Sequence, residues 1–405
     1  MNARQRRHRL TLATSLLVGA SAVTLWWLPA PSAPAFGGAL TVRSFDVVTS
    51  GDQLQTLVLG QFKTDAPTRL AYVEAREGGK YWNRPHFIET AGAEPISSRG
   101  NDVQLATSGR RRVAVFQVKG ELPGNGPLMV AVSEDGGTHW QSGILPVSGD
   151  PQRNQAYPDV EIDADGTIHL VWLDDREENG SSQGLRAAVS RDGGQSWQSE
   201  STVDTDVCTC CSTRLSRLPD ASLALLYRDH MPKDMRLATN SSFEDRWQTT
   251  QTVGAFNWTV DACPHSSSGI TSVRDGDTVI MHAAIWTGEE SQTGVHYLRS
   301  DPAGSAWPTQ LLIDEIGDDP DIASGPAGQL AIVYRQGHGN QTRIAMVAST
   351  DGGAHWSAPQ LLSPPGQRVD HPRVVPTTDG FRIFWTERTG DKTKRLASVH
   401  HDISS

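Results

Sequence analysis

Short runs of alternating apolar and polar residues, each ending in a cluster of turn formers, recur along the chain. Pro158 to Val203 shows the unit. "PDVEIDADG" alternates with a period of two and ends in a turn, "TIHLVWLDDR" reads as a buried strand with a polar tip, "LRAAVS" as a third strand and "QSESTVD" as a fourth. A period of two over four to eight residues predicts strands, not helices.

A second pattern is laid over the first. "SEDGGTHW" (Ser133 to Trp140), "SRDGGQSW" (Ser190 to Trp197) and "STDGGAHW" (Ser349 to Trp356) all fit S-x-D-G-G-x-x-W. Degraded copies are "AREGGKYW" from Ala75, "NSSFEDRW" from Asn240 and "SDPAGSAW" from Ser300, so the box recurs about every 50 to 60 residues. Its chemistry is local. The Asp carboxylate can accept backbone N–H groups across a tight turn, the Gly pair supplies positive φ, and the Trp packs back over the turn. Each copy therefore reads as a hairpin between the third and fourth strands of a unit.

Four strands per unit at this period predict an all-β propeller occupying residues 39–405, its sheets stacked radially so that each buries both faces. First strands begin near Asp46, Asp102, Asp159, Ser212, His265, Asp321 and Arg373, which gives seven blades, with six as the alternative count. The last unit has three strands of its own, and a fourth is expected from the N-terminal segment around Ala39 to Arg43.

The box resembles the Asp-box (BNR) repeat of sialidase-like propellers, and the resemblance covers nearly all of residues 40–400. "VCTCCSTRL", "LLYRDH" and "WTVDACPHS" resemble more narrowly a set of exported bacterial sialidase-like proteins with a C-x-C-C turn, a Y-R-D and a later C-P. The resemblance implies the fold. Fold alone does not assign an activity.

In such a ring the loops entering first strands and the loops leaving second strands share one face, opposite the Asp-box turns. Arg176, Arg228, Arg335, Arg373 and Arg388 would converge there, with Asp159, Asp175, Asp229, Asp321, Glu387, His265 and His371. A polar funnel with rigid walls is a ligand site; the same Arg and Asp residues could instead pair across blades and hold the loops. Phe116, Trp172, Tyr227, Trp286, Tyr334 and Trp385, just before the tips, read as core packing between blades. Sialidase chemistry needs three arginines, a Tyr–Glu nucleophile pair and an Asp acid/base. Candidates are Tyr157 or Tyr227 with Glu161 or Glu387, and Asp159. Of the family's opening F/Y-R-I-P only Arg43 is present, in "VRSFDVV".

Three of the four cysteines, Cys208, Cys210 and Cys211, lie within four residues; the fourth is Cys263. Their turns belong to adjacent blades. A disulfide from Cys263 to Cys210 or Cys211 would close a loop of about 52 residues and stabilise by roughly 4 kcal/mol, and Cys208 could bond whichever partner is left. The alternatives are a soft-metal site using Cys208, Cys210, Cys211, Cys263 and His265, or a reactive thiol.

Composition adds the compartment and the partner class. Arg4, Arg6, Arg7 and Arg9 precede an apolar run from Leu10 to Leu28, then Ala33 and Ala35 in small-x-small spacing. Residues 1–35 read as an export signal, with an uncleaved membrane anchor as the alternative. The protein is expected to be periplasmic or extracellular. Its net charge is −10, which repels nucleic acid and leaves membrane contact to the N-terminal segment. The sequence therefore predicts a polar or anionic ligand, a glycan above all, held at the funnel without a cofactor. A sialidase-type hydrolase and a metal-handling protein are the alternatives.

Overall fold

The computed structural model describes residues 41–63, 66–122, 124–144, 154–176, 182–198, 200–240, 246–337, 341–390 and 393–403. The predicted signal segment and Ala39–Leu40 lie outside them, as does most of the box beginning at Asn240.

Seven antiparallel sheets follow one another along the chain. Their first strands are Thr41–Ser50, Gln104–Ser108, Gln155–Ile162, Arg214–Arg217, Gly269–Asp275, Gly317–Ser324 and Val369–Pro376. Every predicted start falls in or just before one of them. Each first strand packs beside the first strand of the next sheet, and the seventh returns to the first, so the sheets are blades around an axis. The count is seven, not six.

The core explains the closure. Seven apolar clusters each join residues of two neighbouring blades. Between blades 7 and 1 the cluster holds Phe384 and Val375 against Phe45, Val47 and Leu54, and the Arg382 guanidinium donates to the Gly78 carbonyl at 2.8 Å. Of the aromatic column, Phe116, Trp172, Tyr227, Tyr334 and Trp385 are fully buried. Trp286 is half-buried and meets Trp258 edge-on at 5.2 Å.

The N-terminal fourth strand expected for blade 7 is not formed by Thr41–Arg43. Thr41 and Val42 pair with Gln61 and Gly60 inside blade 1. Among the described residues blade 7 keeps three strands, and the ring closes by side-chain packing.

The D-G-G turns lie at the far ends of third strands. Ser349 and Asp351 bond through Oγ and Oδ1 at 2.9 Å, and the Gly353 N–H donates to Ser349 Oγ. Backbone and side-chain bonds from His355 hold the Asp351 carboxyl at about 2. Ser133/Asp135 and Ser190/Asp192 repeat the arrangement. Gly352 and Gly353 both have positive φ, but a Cβ on Gly352 meets open space whereas one on Gly353 would lie 1.9 Å from Tyr297 Oη. In urea unfolding, Gly352→Ala is expected to cost about 1 kcal/mol for backbone strain alone. Gly353→Ala should cost at least about 2 kcal/mol more, because a buried tyrosine must also move.

Candidate functional site

First strands start at the mouth of the ring, and there the chain breaks register. Ladder irregularities fall at Arg43, Tyr157–Pro158, Asp319–Pro320 and His371–Pro372. Tyr157, Asp319 and His371 have positive φ, as does His265 in blade 5. A bulge re-aims the side chain it carries. Arg43, Asp319 and His371 accordingly face a cavity of about 540 Å³ at this end, and His265 faces it from the loop that enters blade 5.

The cavity is basic inside an acidic protein. Arg43, Arg99, Arg335, Arg368, Arg373, Arg388 and Lys394 line it, against three carboxylates, Asp102, Asp319 and Asp370. Arg335 is the best anchored. It donates from Nε to Asp318 Oδ1 at 2.7 Å and from Nη1 to Asp370 at 2.6 Å, and these acids outweigh burial and raise its pKa further above the usual range. Lys394 is 3.5 Å from Asp370, and Arg99 is 3.6 Å from Asp319. Asp102 lies 3.4 Å from His371 Nε2 and 3.6 Å from Arg373, whose buried Nε has no partner among the described residues. Arg43 is exposed and has no carboxylate partner among them.

Below the mouth, the inner strands carry a second group of charges. Asp46, Asp159 and Asp321 each reach across to the next blade and accept a backbone N–H, from Leu105, Leu215 and Val374, at 2.7–3.0 Å. These are clasps between blades. Burial raises Asp46 to about 6. Burial opposes the charge on Arg214, but Asp321, Asp159, Asp46 and Asp102 overcome it and raise its pKa. Glu161 is pushed up to about 8, by burial first and then by Asp159.

The predicted site residues divide accordingly. Arg335, Arg373, Arg388, His265 and His371 line the cavity. Asp159 and Asp321 are the clasps below it. Arg176 is drawn away by Asp174 and Glu200. Asp175 lies beside it, outside the lining. Arg228 is buried, donating to the carbonyls of Lys233 and Trp286. Asp229 pairs with Arg236 at 3.1 Å. Glu387 is fully buried, bonded to Arg395 and Trp385 Nε1. The Tyr227 hydroxyl donates to Asp204, and Tyr157 is buried beside Ser98, with burial foremost in raising its pKa. No glutamate or tyrosine lines the cavity among the described residues.

The cross-blade disulfide expected at Cys263 is not present. Cys211 bonds Cys208 inside its own turn, and Cys210 and Cys263 are thiols. A loop this short closes little chain entropy, about 2 kcal/mol against the roughly 4 expected of a cross-blade bridge. Because Cys208 and Cys211 are spent on each other, the five-residue metal set cannot assemble as predicted.

Arg99, Arg368, Lys394, Asp102, Asp319 and Asp370 were not among the predicted ligand residues. Asp319 carried a signal, the x-Pro step in a first strand, and Asp370 lies one residue before the equivalent step at His371–Pro372. Arg99 carried none, because it sits in a loop inserted between Pro95–Ile96 and Gln104–Ser108, two strands that pair with one partner.

In sequence the chain matches no family model and no curated protein. Solved structures give the fold. A polysaccharide lyase, PL25 ulvan lyase, superposes with a TM-score of 0.56 at 10% identity, over 93% of this chain and 94% of that one. The Hadza microbial sialidase Hz136 gives 0.50 at 13%, over 87% and 74%. The Trypanosoma rangeli sialidase in complex with sialic acid gives 0.50 at 11%, over 92% of this chain but 56% of its own. The protein is thus a seven-bladed β-propeller with a basic mouth, similar in fold to those structures.

Glu161 supplies a pH test. Its folded pKa, about 8, lies above the 4.5 of a free glutamate. The unfolded chain therefore holds fewer protons between these values, and stability falls as pH rises through this window. Thermal unfolding of Glu161→Gln is expected to exceed wild type at pH 8, and the gap should close as pH falls to 4.5. A gap independent of pH would show that Glu161 ionises normally.

Proposed function

We propose that the mouth binds a carboxylate- or sulfate-bearing saccharide and holds it without turnover. One observation carries this: six arginines and a lysine surround a concave cavity holding three aspartates, in a chain of net charge −10. The overall charge rejects polyanions such as nucleic acid, whereas a recessed cation cluster accepts an isolated anionic group. Arg43 and Arg388, both exposed and from opposite sides of the ring closure, are read as the first contacts, with Arg335 and Arg373 below them as fixed charge. The folds of the sialidases and of ulvan lyase support a saccharide as the bearer of the anion. Binding without turnover is favoured because the three acids of the cavity all face cations and the candidate glutamates point elsewhere. Export to the periplasm or the exterior fits this reading and the oxidised Cys208–Cys211 pair.

Titration calorimetry with sialic acid, uronate oligosaccharides and sulfated oligosaccharides, against neutral sugars of equal size, tests the reading. Anionic sugars should bind with salt-sensitive affinity and neutral ones should not. Arg43→Ala and Arg388→Ala should each weaken binding by about 10-fold or more, the value of a hydrogen bond to a charged group; Arg274→Ala, outside the cavity, should not. Equal binding of neutral sugars would sink the charge argument. Release of a fluorophore from a sialoside would sink the absence of turnover.

A further inference from the structure

Two adjacent blades bring a set of soft donors to the rim of the same mouth. Cys210 Sγ, Cys263 Sγ and a ring nitrogen of His265 all lie within 4.8 Å of one another. Cys210 is buried at the tip of the turn that enters blade 4; Cys263 is exposed and His265 half-buried in the loop that enters blade 5. The Cys208–Cys211 bond fixes the first turn, and Pro264 with a positive φ at His265 fixes the second.

We propose that Cys210, Cys263 and His265 form a site for a single zinc(II) ion, with its fourth coordination position open toward the mouth. Four features support it. His265 Nδ1 lies 3.0 Å from its acceptor, the Cys263 carbonyl. A proton held there assigns Nε2 the free lone pair, the usual way a ligating imidazole is oriented. The His265 backbone N–H donates to Cys210 Sγ, a bond that suits a thiolate better than a thiol. Arg228, buried with its Nε unpartnered among the described residues, and Lys233 both lie in the electrostatic reach of Cys210 and offset thiolate charge. Two sulfurs and one imidazole are also the ligand set of open, four-coordinate zinc sites, and need to contract only to separations of about 3.5–3.8 Å.

Without metal, Cys210 and Cys263 are both thiols. A coordinated cation removes the proton of each thiol that binds it. Uptake therefore converts two thiols and a zinc(II) ion into a dithiolate complex and two released protons, and affinity should rise steeply with pH. The site stands whether or not the cavity takes an anionic saccharide: His265 lines that cavity as well, but Cys210 and Cys263 do not, and no arginine or lysine of the cavity is a donor.

The test uses the full-length protein, anaerobic, with Cys208–Cys211 oxidised and two thiols titratable. Zinc(II) should bind at one equivalent, protect both thiols from a disulfide reagent and release two protons. Cobalt(II) in its place should give thiolate charge-transfer absorption and tetrahedral visible bands. Cys263→Ser, at an exposed position, should keep the fold by circular dichroism and weaken zinc at least about 100-fold. His265→Asn, which tolerates positive φ, should weaken it about 10-fold or more. Thiols left reactive in excess zinc would overturn the proposal. So would undiminished zinc binding in Cys263→Ser, or isolation of the exported protein with Cys210 joined to Cys263 in a metal-free disulfide.

Discussion

Each sheet of this protein is apolar on both faces, and only a closed ring can cover all of them at once. That requirement shapes the rest. Blades 1 to 6 each offer two faces to be buried, and blade 7, with three strands among the described residues, must seal against blade 1 through Phe384, Phe45 and their neighbours. Closure packs the seven first strands side by side around one axis. Their starting residues, scattered over more than 300 positions of sequence, then share one opening.

Convergence also has an electrostatic consequence. A polar residue on an inner strand faces a narrow shaft, where a lone charge is costly. Asp46, Asp159 and Asp321 resolve this by accepting an N–H from the neighbouring blade, and Arg214 balances them from within. At the mouth the shaft widens to solvent and the balance reverses, so that cations exceed acids. Depth along the axis therefore separates side chains that join blades from those that can meet a ligand, although both kinds come from the same strands.

Periodicity and the repeated turn made the architecture legible in the sequence, because one supersecondary unit was written seven times and each copy obeyed local rules. The mouth was legible in part. Arg335, Arg373, Arg388, His265 and His371 could be placed by topology alone. What failed was the choice among neighbours at the same tips. Arg176 and Arg388 stand at the tips of second strands alike, but only Arg388 lines the cavity, Arg176 being drawn away by Asp174 and Glu200, and strand periodicity holds no record of such pairings. Arg228 and Glu387 were misplaced for a related reason: Arg228 holds the same strand position as Arg335, but the Lys233 and Trp286 carbonyls take its guanidinium, and Arg395 and the Trp385 indole take Glu387. The cysteines show the same limit, since spacing located the adjacent turns but could not decide which sulfur of C-x-C-C would face inward.

The join between first and last blades runs beneath the cavity. Arg43 stands on one bank of it, and Arg368, His371, Arg373, Arg388 and Lys394 on the other. Among the described residues no hydrogen-bonded ladder crosses that line. A molecule gripped from both banks would act as a fastener, and by mass action would oppose parting of the two ends of the necklace. Occupancy and mechanical integrity would then be two readings of a single equilibrium.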